Sequence, residues 1–314
     1  MNDFRDTNRV LTLADLETGK GEFSPNSLAV LGHPIAHSLS PRMHNGALAA
    51  LARSGAVSPK AVHIGDWRYH AFDIAPEDLA RALRLLHARG FRGLNLTVPH
   101  KVLALREVAE IDPPARAVGA VNTLLRTEAG WRGFNTDGYG LAAAVREALG
   151  LDLGAQPVLL LGAGGAARGA AVECLQRGCP ALWIANRSQE NLETLLDALR
   201  PLAGQADLHG FAPANAIPPH FPEGALVINA TALGLHEGDA APINLKTLPR
   251  PISVYDMIYN PPETPLLRTA RELGAPTANG AAMLVHQGAK ALEIWSGISA
   301  EQIAPLMQAA LRTQ

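Results

Sequence analysis

Short apolar runs alternate with helical periodicities along most of the chain. Ser27-Leu28-Ala29-Val30-Leu31, closed by Gly32, predicts a strand, and a helical pattern follows over residues 40–52. Further strand-like segments fall at 61–64 and 92–96. Between them, residues 76–89 predict an amphipathic helix, with Leu79, Leu83 and Leu86 on one face and Gly90 after its end. The alternation resumes with Pro157-Val158-Leu159-Leu160-Leu161, a helix over 166–177, and strands at 182–185, 226–229 and 252–255. Helical patterns over 279–297 and 299–313 close the chain, the last with Ile303, Leu306 and Leu311 on one side. Strand and helix in strict alternation predict an α/β fold with parallel sheets.

Candidate chemistry gathers where these strands end. Asn95-Leu96-Thr97-Val98-Pro99-His100-Lys101 runs out of a strand into a helix over 102–105, because proline cannot continue a central strand and suits a first helical turn. Lys101 then lies near a helix N-terminus, whose positive end disfavours an ammonium and favours proton transfer near neutrality. Alone, the residue reads equally as a surface lysine. Ser38 and Ser40 bracket another helix start, with Pro41 in the first turn. Hydroxyls and free N–H groups there favour a carboxylate or phosphate, and simple capping by Ser40 explains the same pattern. His33 and His37 have no carboxylate or third histidine at ligand spacing, so no metal is expected. Asn122 in Gly119-Ala120-Val121-Asn122-Thr123, and Asp137 in Phe134-Asn135-Thr136-Asp137-Gly138, are polar groups beside apolar runs. Each needs a partner, whether a turn or a ligand.

A second unit begins near Asp137. The strand at 157–161 leads directly into Gly162-Ala163-Gly164-Gly165-Ala166-Ala167, the dinucleotide fingerprint with alanine at its third small position. The glycines permit a tight turn and close approach of a pyrophosphate to the following helix N-terminus. The next strand ends in Asn186-Arg187-Ser188, with no acid to hold a ribose 2′-hydroxyl. An arginine without that acid suits a 2′-phosphate, so NADP is expected over NAD. Asn229-Ala230-Thr231 and Asp256-Met257-Ile258-Tyr259 put polar groups at the C-terminal ends of later strands, where open parallel sheets bind ligands.

Composition narrows the class. The chain has 314 residues, enough for about two domains, with 47% apolar and 18% charged positions. A net charge of −2 with interspersed signs gives no footprint for nucleic acid or an anionic membrane surface. No apolar run approaches the roughly 20 residues needed to span a bilayer. Cys174 and Cys179 form no disulfide framework, which predicts core thiols in a reducing, cytoplasmic setting. Residues 1–25 lack the apolar segment of a secretory signal, and Asp3, Asp6, Asp15 and Glu17 argue against an acid-poor transit peptide; they read as a loosely held, flexible extension with one helical turn over 13–16.

Nine blocks, in order, closely resemble the shikimate dehydrogenase family. They are HSLSPRMHN (37–45), NLTVPHK (95–101), GAVNT (119–123), FNTDG (134–138), GAGGAAR (162–168), NRS (186–188), NATALGL (229–235), YDMIYNPPETPLL (255–267) and NGAAMLVHQG (279–288). The resemblance implies a substrate domain over 26–136 plus 279–314, completed by the C-terminal helices, and a Rossmann NADP-binding domain over 137–278. It implies reversible reduction of 3-dehydroshikimate to shikimate by NADPH across the interdomain cleft, with Lys101 as general acid/base alongside Asp137. Ser38 and Ser40 then hold the substrate carboxylate, and Thr97, Asn122, Tyr259 and Gln287 make the other substrate contacts. Gly162, Ala163, Gly164, Gly165 and Ala166, together with Asn186, Arg187, Ser188, Thr231, Met257 and Gly280, face the cofactor. Two features depart from the common family pattern: the N-terminal extension, and Gln189-Glu190 after Ser188 where many members carry a further basic residue. Action on quinate or an aminated shikimate, and a non-catalytic metabolite sensor, are the competing expectations; the partners foreseen are the small-molecule substrate and, at most, a second copy of the chain (monomer or homodimer).

Overall fold

The computed structural model describes residues 9–19, 23–55, 63–214 and 216–312. They fall into two compact units, one running to Thr136 and resuming at Gln287, the other spanning Asp137–His286.

In the first unit, β1 (Val10–Thr12), α1 (Leu13–Thr18), β2 (Leu28–Gly32), α2 (Ser40–Arg53) and β3 (Tyr69–Asp73) lead to α3 (Leu79–Ala88) and β4 (Gly93–Leu96). The one-turn α4 (His100–Leu103), β5 (Glu110–Ile111), α5 (Pro113–Val118), and the hairpin β6 (Thr123–Thr127) and β7 (Gly130–Phe134) follow. The seven strands form one sheet in the order β1-β3-β2-β4-β6-β7-β5. Ala29 and Leu31 of β2 join a core with Leu16 of α1, Leu79, Leu83 and Leu86 of α3, and Phe72 of β3. Leu28 and Val30 turn to the opposite face, as strand alternation requires.

In the second unit, α6 (Asp137–Leu149), β8 (Val158–Leu161), α7 (Gly165–Gln176), β9 (Ala181–Ala185), α8 (Gln189–Leu199) and β10 (Asp207–Phe211) come first. Then come β11 (Leu226–Asn229), β12 (Ser253–Asp256), α9 (Pro265–Glu272) and β13 (Thr277–Asn279). Every strand pair is parallel and the order is β10-β9-β8-β11-β12-β13, the doubly wound dinucleotide-binding arrangement. The order reverses between β8 and β11, which opens a crevice at their C-terminal ends. The chain returns to the first unit along α10 (Ala281–Ser296) and ends in α11 (Ala300–Arg312). There α2 and α11 approach closely enough that a Cβ on Gly46 would lie 2.3 Å from that of Ala310. Trp295 of α10 is fully buried and donates its indole N–H to the Leu124 carbonyl at 2.9 Å.

Several expectations need correction. The helical turn expected at 13–16 is present within α1, but residues 10–18 are not a loose extension: β1 pairs in parallel with β3, and α1 begins with a capping box between Thr12 and Asp15 and buries Leu16. The first sheet is mixed rather than parallel, because β6 and β7 form a hairpin and β6 runs antiparallel to β4. Of the strand expected at 61–64, residues 61–62 lie outside the described residues and 63–64 are loop. The strand is Tyr69–Asp73 instead, whose polar His70 and Asp73 obscure its pattern.

Two histidines, one fully buried and one half-buried, tie this unit's stability to pH. His44 of α2 is fully buried, stacked on Tyr69 at 4.0 Å between ring centroids, and desolvation pushes its pKa down to about 3. His70 is lowered to about 4, by burial first and then by Arg68. Both are neutral in the fold, whereas the unfolded chain protonates them below their ordinary 6.5. Their contribution is therefore complete above pH 6.5 and is lost progressively as the pH falls toward 4 and 3. Urea unfolding at pH 5 is expected to show a stability lower than at pH 7.5 by about 2 kcal/mol for each histidine, and His44→Leu to shrink that difference.

Candidate active site

The two units each gather polar side chains at the C-terminal ends of adjacent parallel strands. In the first, β2 and β4 pair in parallel, and the Ser38–Ser40 turn and the Thr97–Lys101 segment follow their respective ends. The Thr97 amide donates to the Leu31 carbonyl at 2.9 Å and the His33 amide to the Val98 carbonyl at 3.1 Å, so the two segments are bound side by side. A Cβ on Gly32 would lie 2.5 Å from Thr97 Cγ2, so only glycine lets the threonine sit over the strand end.

Ser40 is not the N-cap that the sequence allows. Leu39 occupies that position without a side-chain cap, Ser40 begins the helix, and Ser38 Oγ accepts the Ser40 amide at 3.3 Å. The Ser40 side chain is buried against the Tyr69 hydroxyl instead. The setting of Lys101 also differs from expectation. Pro99 takes the N-cap position, but α4 has only four residues before a 3-10 turn at Ala104–Arg106. One turn carries a small fraction of a full helix dipole, so the helix-end argument loses most of its force. What fixes Lys101 is its own carbonyl, which accepts the Val121 amide at 2.9 Å and holds it beside the residue before Asn122.

Asn122 is 2% exposed and sits in a closed polar cluster. Its Oδ1 accepts the Thr136 amide at 2.9 Å and the Thr123 hydroxyl at 2.9 Å. Its carbonyl accepts both the Leu96 amide at 2.9 Å and Asn95 Nδ2 at 3.1 Å. Asn95 Oδ1 in turn accepts the Tyr69 hydroxyl at 2.7 Å. Asn95, Tyr69, Thr123 and Thr136 were not singled out from the sequence. The signal was there in Asn95, a lone amide in the otherwise apolar Gly-Leu-Asn-Leu strand, since a buried amide must find partners. Gln287 lies on α10 next to Gly288, where a Cβ would meet Met43 Cε at 2.5 Å, so the helix carrying Gln287 lies directly on α2.

In the second unit a pocket of about 410 Å³ opens at the ends of β8, β9 and β11. Gly162, Ala163, Gly164, Asn186, Arg187 and Thr231 line it. Gly162 adopts φ +108° and packs against Thr231 and the Ala230 carbonyl, while Gly164 and Gly165 face open space. That is a cradle a side chain would fill, and it fits a pyrophosphate. Among the described residues nothing pairs with the Arg187 guanidinium. Ser188 caps α8 through the Asn191 amide at 3.3 Å, and Arg187 lines the pocket. His236 and Asp239 also line the pocket and were not foreseen; the His236 and Gly234 amides both donate to Asp239 and hold its carboxyl below the usual range.

Thr231 is aimed by a buried network. Asn229 Oδ1 accepts the Thr231 amide at 3.0 Å and its hydroxyl at 2.8 Å, and Asn229 Nδ2 donates to Asp256 at 3.0 Å. Asp256 also accepts Thr264 Oγ1 at 2.7 Å and the Ile258 amide at 3.0 Å. Burial pushes its carboxyl pKa up, against the opposing pull of these donors. Met257, Tyr259 and Gly280 lie outside the pocket lining: a Cβ on Gly280 would lie 2.1 Å from the Met257 carbonyl, and Tyr259 is 39% exposed. Asp137 opens α6 directly after Thr136.

The profile described as "Shikimate dehydrogenase substrate binding domain" matches residues 30–124, and that described as "Shikimate 5'-dehydrogenase C-terminal domain" matches 280–312. A shikimate dehydrogenase (NADP(+)) of Synechococcus sp. (strain JA-3-3Ab) is 40% identical over 295 residues, covering 91% of this chain and 94% of that protein. The chain belongs to the shikimate dehydrogenase family. Among solved structures, the Thermus thermophilus shikimate 5-dehydrogenase in complex with NADP(H) and shikimate aligns at 34% identity with TM-score 0.74, over 90% of this chain and 99% of that one. The ligand-free 5-ketofructose reductase of Gluconobacter sp. strain CHM43 aligns at 30% and 0.76, over 91% and 99%. Family membership thus fixes the fold more tightly than the substrate.

The Asn229–Asp256–Thr264 network generates a stability prediction. Asp256→Ala strands three buried donors, and is expected to lower the unfolding free energy by about 3 kcal/mol or more, read from urea denaturation.

Proposed function

We propose that the chain catalyses the reversible, NADPH-dependent reduction of 3-dehydroshikimate to shikimate. The observation that carries this reading is the first unit's cluster, in which Thr97 is bound to the end of β2, the Lys101 carbonyl holds Val121 beside Asn122, and the Ser38–Ser40 turn follows β2. Such a cluster suits a small, polyhydroxylated carboxylate. Ser38 and Ser40 hold the carboxylate, Asn122, Asp137 and Gln287 take the ring hydroxyls, and Thr97 and Tyr259 complete the contacts. The cofactor pocket supports NADP, since Gly162, Ala163, Gly164, Gly165 and Ala166 leave room for a pyrophosphate and Arg187 meets a 2′-phosphate without a competing acid at the end of β9. Asn186, Ser188, Thr231, Met257 and Gly280 complete the cofactor-side assignment. When bound, the nicotinamide takes or supplies the hydride. In the oxidative direction Lys101 accepts the hydroxyl proton as the C–H bond breaks; in the reductive direction it returns that proton to the alkoxide oxygen, with Asp137 as its acidic counterpart.

The enzyme acts as a monomer or homodimer in the cytoplasm, a setting that agrees with two buried, unpaired cysteines. Among the described residues no helix is long and apolar enough to cross a membrane. The similarity to a 5-ketofructose reductase makes the substrate the point to test first. A steady-state panel of shikimate, quinate, aminoshikimate and 5-ketofructose, each with NADP and NAD, is expected to favour shikimate with NADP. Preference for another substrate would replace this reading, and complete inactivity would favour a metabolite sensor.

Lys101→Ala is expected to lower kcat by a factor on the order of 10² to 10⁴ while changing KM far less. Near-normal turnover would remove Lys101 from the chemistry. Arg187→Gln is expected to raise the KM for NADP about tenfold and leave that for NAD nearly unchanged.

A further inference from the structure

We infer that Tyr69, a fully buried residue no substrate can reach, is a positioning residue that braces the Asn122 carboxamide through Asn95 and Thr123, in the orientation that the Thr136 amide dictates. The inference rests on the reading of Asn122 as a substrate-binding group.

The argument follows from which atoms have no choice of role. A backbone N–H can only donate, so the Asn122 atom that meets the Thr136 amide at 2.9 Å is the oxygen. A backbone carbonyl can only accept, so the Asn95 atom that meets the Asn122 carbonyl at 3.1 Å is the nitrogen. Asn95 Oδ1 therefore faces Tyr69, whose hydroxyl must donate to it at 2.7 Å. Asn95 Nδ2 also donates to Thr123 Oγ1 at 3.0 Å, which leaves the threonine proton to go on to Asn122 Oδ1 at 2.9 Å. The chain of bonds has a single direction from Tyr69 to Asn122. With its oxygen held inward, the Asn122 amide turns its nitrogen the other way, where Nδ2 donates to Thr136 Oγ1 at 3.0 Å.

Tyr69 is itself clamped. Its amide donates to Asn45 Oδ1 and its carbonyl accepts Asn45 Nδ2, both at 2.9 Å, and its ring lies nearly parallel to that of His44, with 6° between planes. Asn45 and His44 belong to α2, the helix that Ser40 begins. One phenol thus joins the helix bearing the serine pair to the strand and loop bearing Asn95 and Asn122. Loss of its hydroxyl leaves Asn95 Oδ1 buried without its donor, and the amide that makes both Nδ2 bonds loses its third restraint.

Tyr69→Phe tests the inference in two ways. In asparagine-labelled protein without ligand, the Asn122 side-chain NH2 pair, assigned by its loss in Asn122→Asp, is expected to shift or broaden. In steady state, the KM for shikimate is expected to rise about 5- to 20-fold, with the KM for NADP within twofold of wild type. Thr123→Val interrupts the same path, so the double variant is expected to be no worse than the more severe single one. Phe72→Leu, on the same strand but outside the network, is the control for general destabilisation and is expected to leave the shikimate KM unchanged. An unaltered Asn122 signal, an unaltered shikimate KM in an active enzyme, or multiplicative losses in the double variant would each overturn the inference. If Tyr69→Phe does not fold, the signal and KM of Thr123→Val decide it. A wild-type protein inactive on shikimate would defeat the proposed function, and the ligand-free signal would still decide the relay.

Discussion

A carboxamide buried in a sheet must turn each of its hydrogen-bonding groups toward a protein partner, because none can turn to water. Asn95 meets that constraint by bracing the Asn122 carbonyl, the Thr123 hydroxyl and the Tyr69 phenol at once. A hydrocarbon side chain there would pack as well but would leave the ends of β4 and β6 without a common reference. Fixed donors and acceptors convert a loosely determined loop region into one with a single solution.

The second unit uses the same device on an unrelated framework. Asn229 and Asp256 close adjacent parallel strands, each buried, each bonded to the other and to the loop beyond. In the second unit an amide at the last residue of a strand aims the segment that follows, whereas in the first Asn95 ties the end of β4 to Tyr69 and to the residues that open β6. Parallel strands place their C-terminal ends side by side, so two such residues on neighbouring strands can share partners, and the loops they direct face the same crevice.

The Rossmann half was legible because its central strands, buried on both faces, read as unbroken apolar runs that lead into glycine. Val158–Leu161, which leads into Gly162, is the example. The edge strand Asp207–Phe211 was not, since only Phe211 is buried and its pattern is that of a loop. In the first unit, Tyr69–Asp73 was hidden by His70 and Asp73, and the Thr123–Thr127 hairpin by its arginine and threonines. Lys101 and the serine pair were visible as residue types at strand ends. Their local physics was not: the helix at Lys101 stops after one turn, and Ser40 is turned toward Tyr69 rather than toward its own backbone. Both outcomes depend on partners far away in sequence, which local periodicity does not encode.

The three residues of β1 have a consequence beyond their size. They close the outer side of β3 with parallel ladder bonds, so β3 is not the rim of its sheet. A shortened chain beginning at Ser27 would keep all the chemistry proposed here but would present Tyr69–Asp73 as a bare template for another molecule's backbone. The leading segment thus moves the open margin of the sheet from the five residues of β3 to the three of β1.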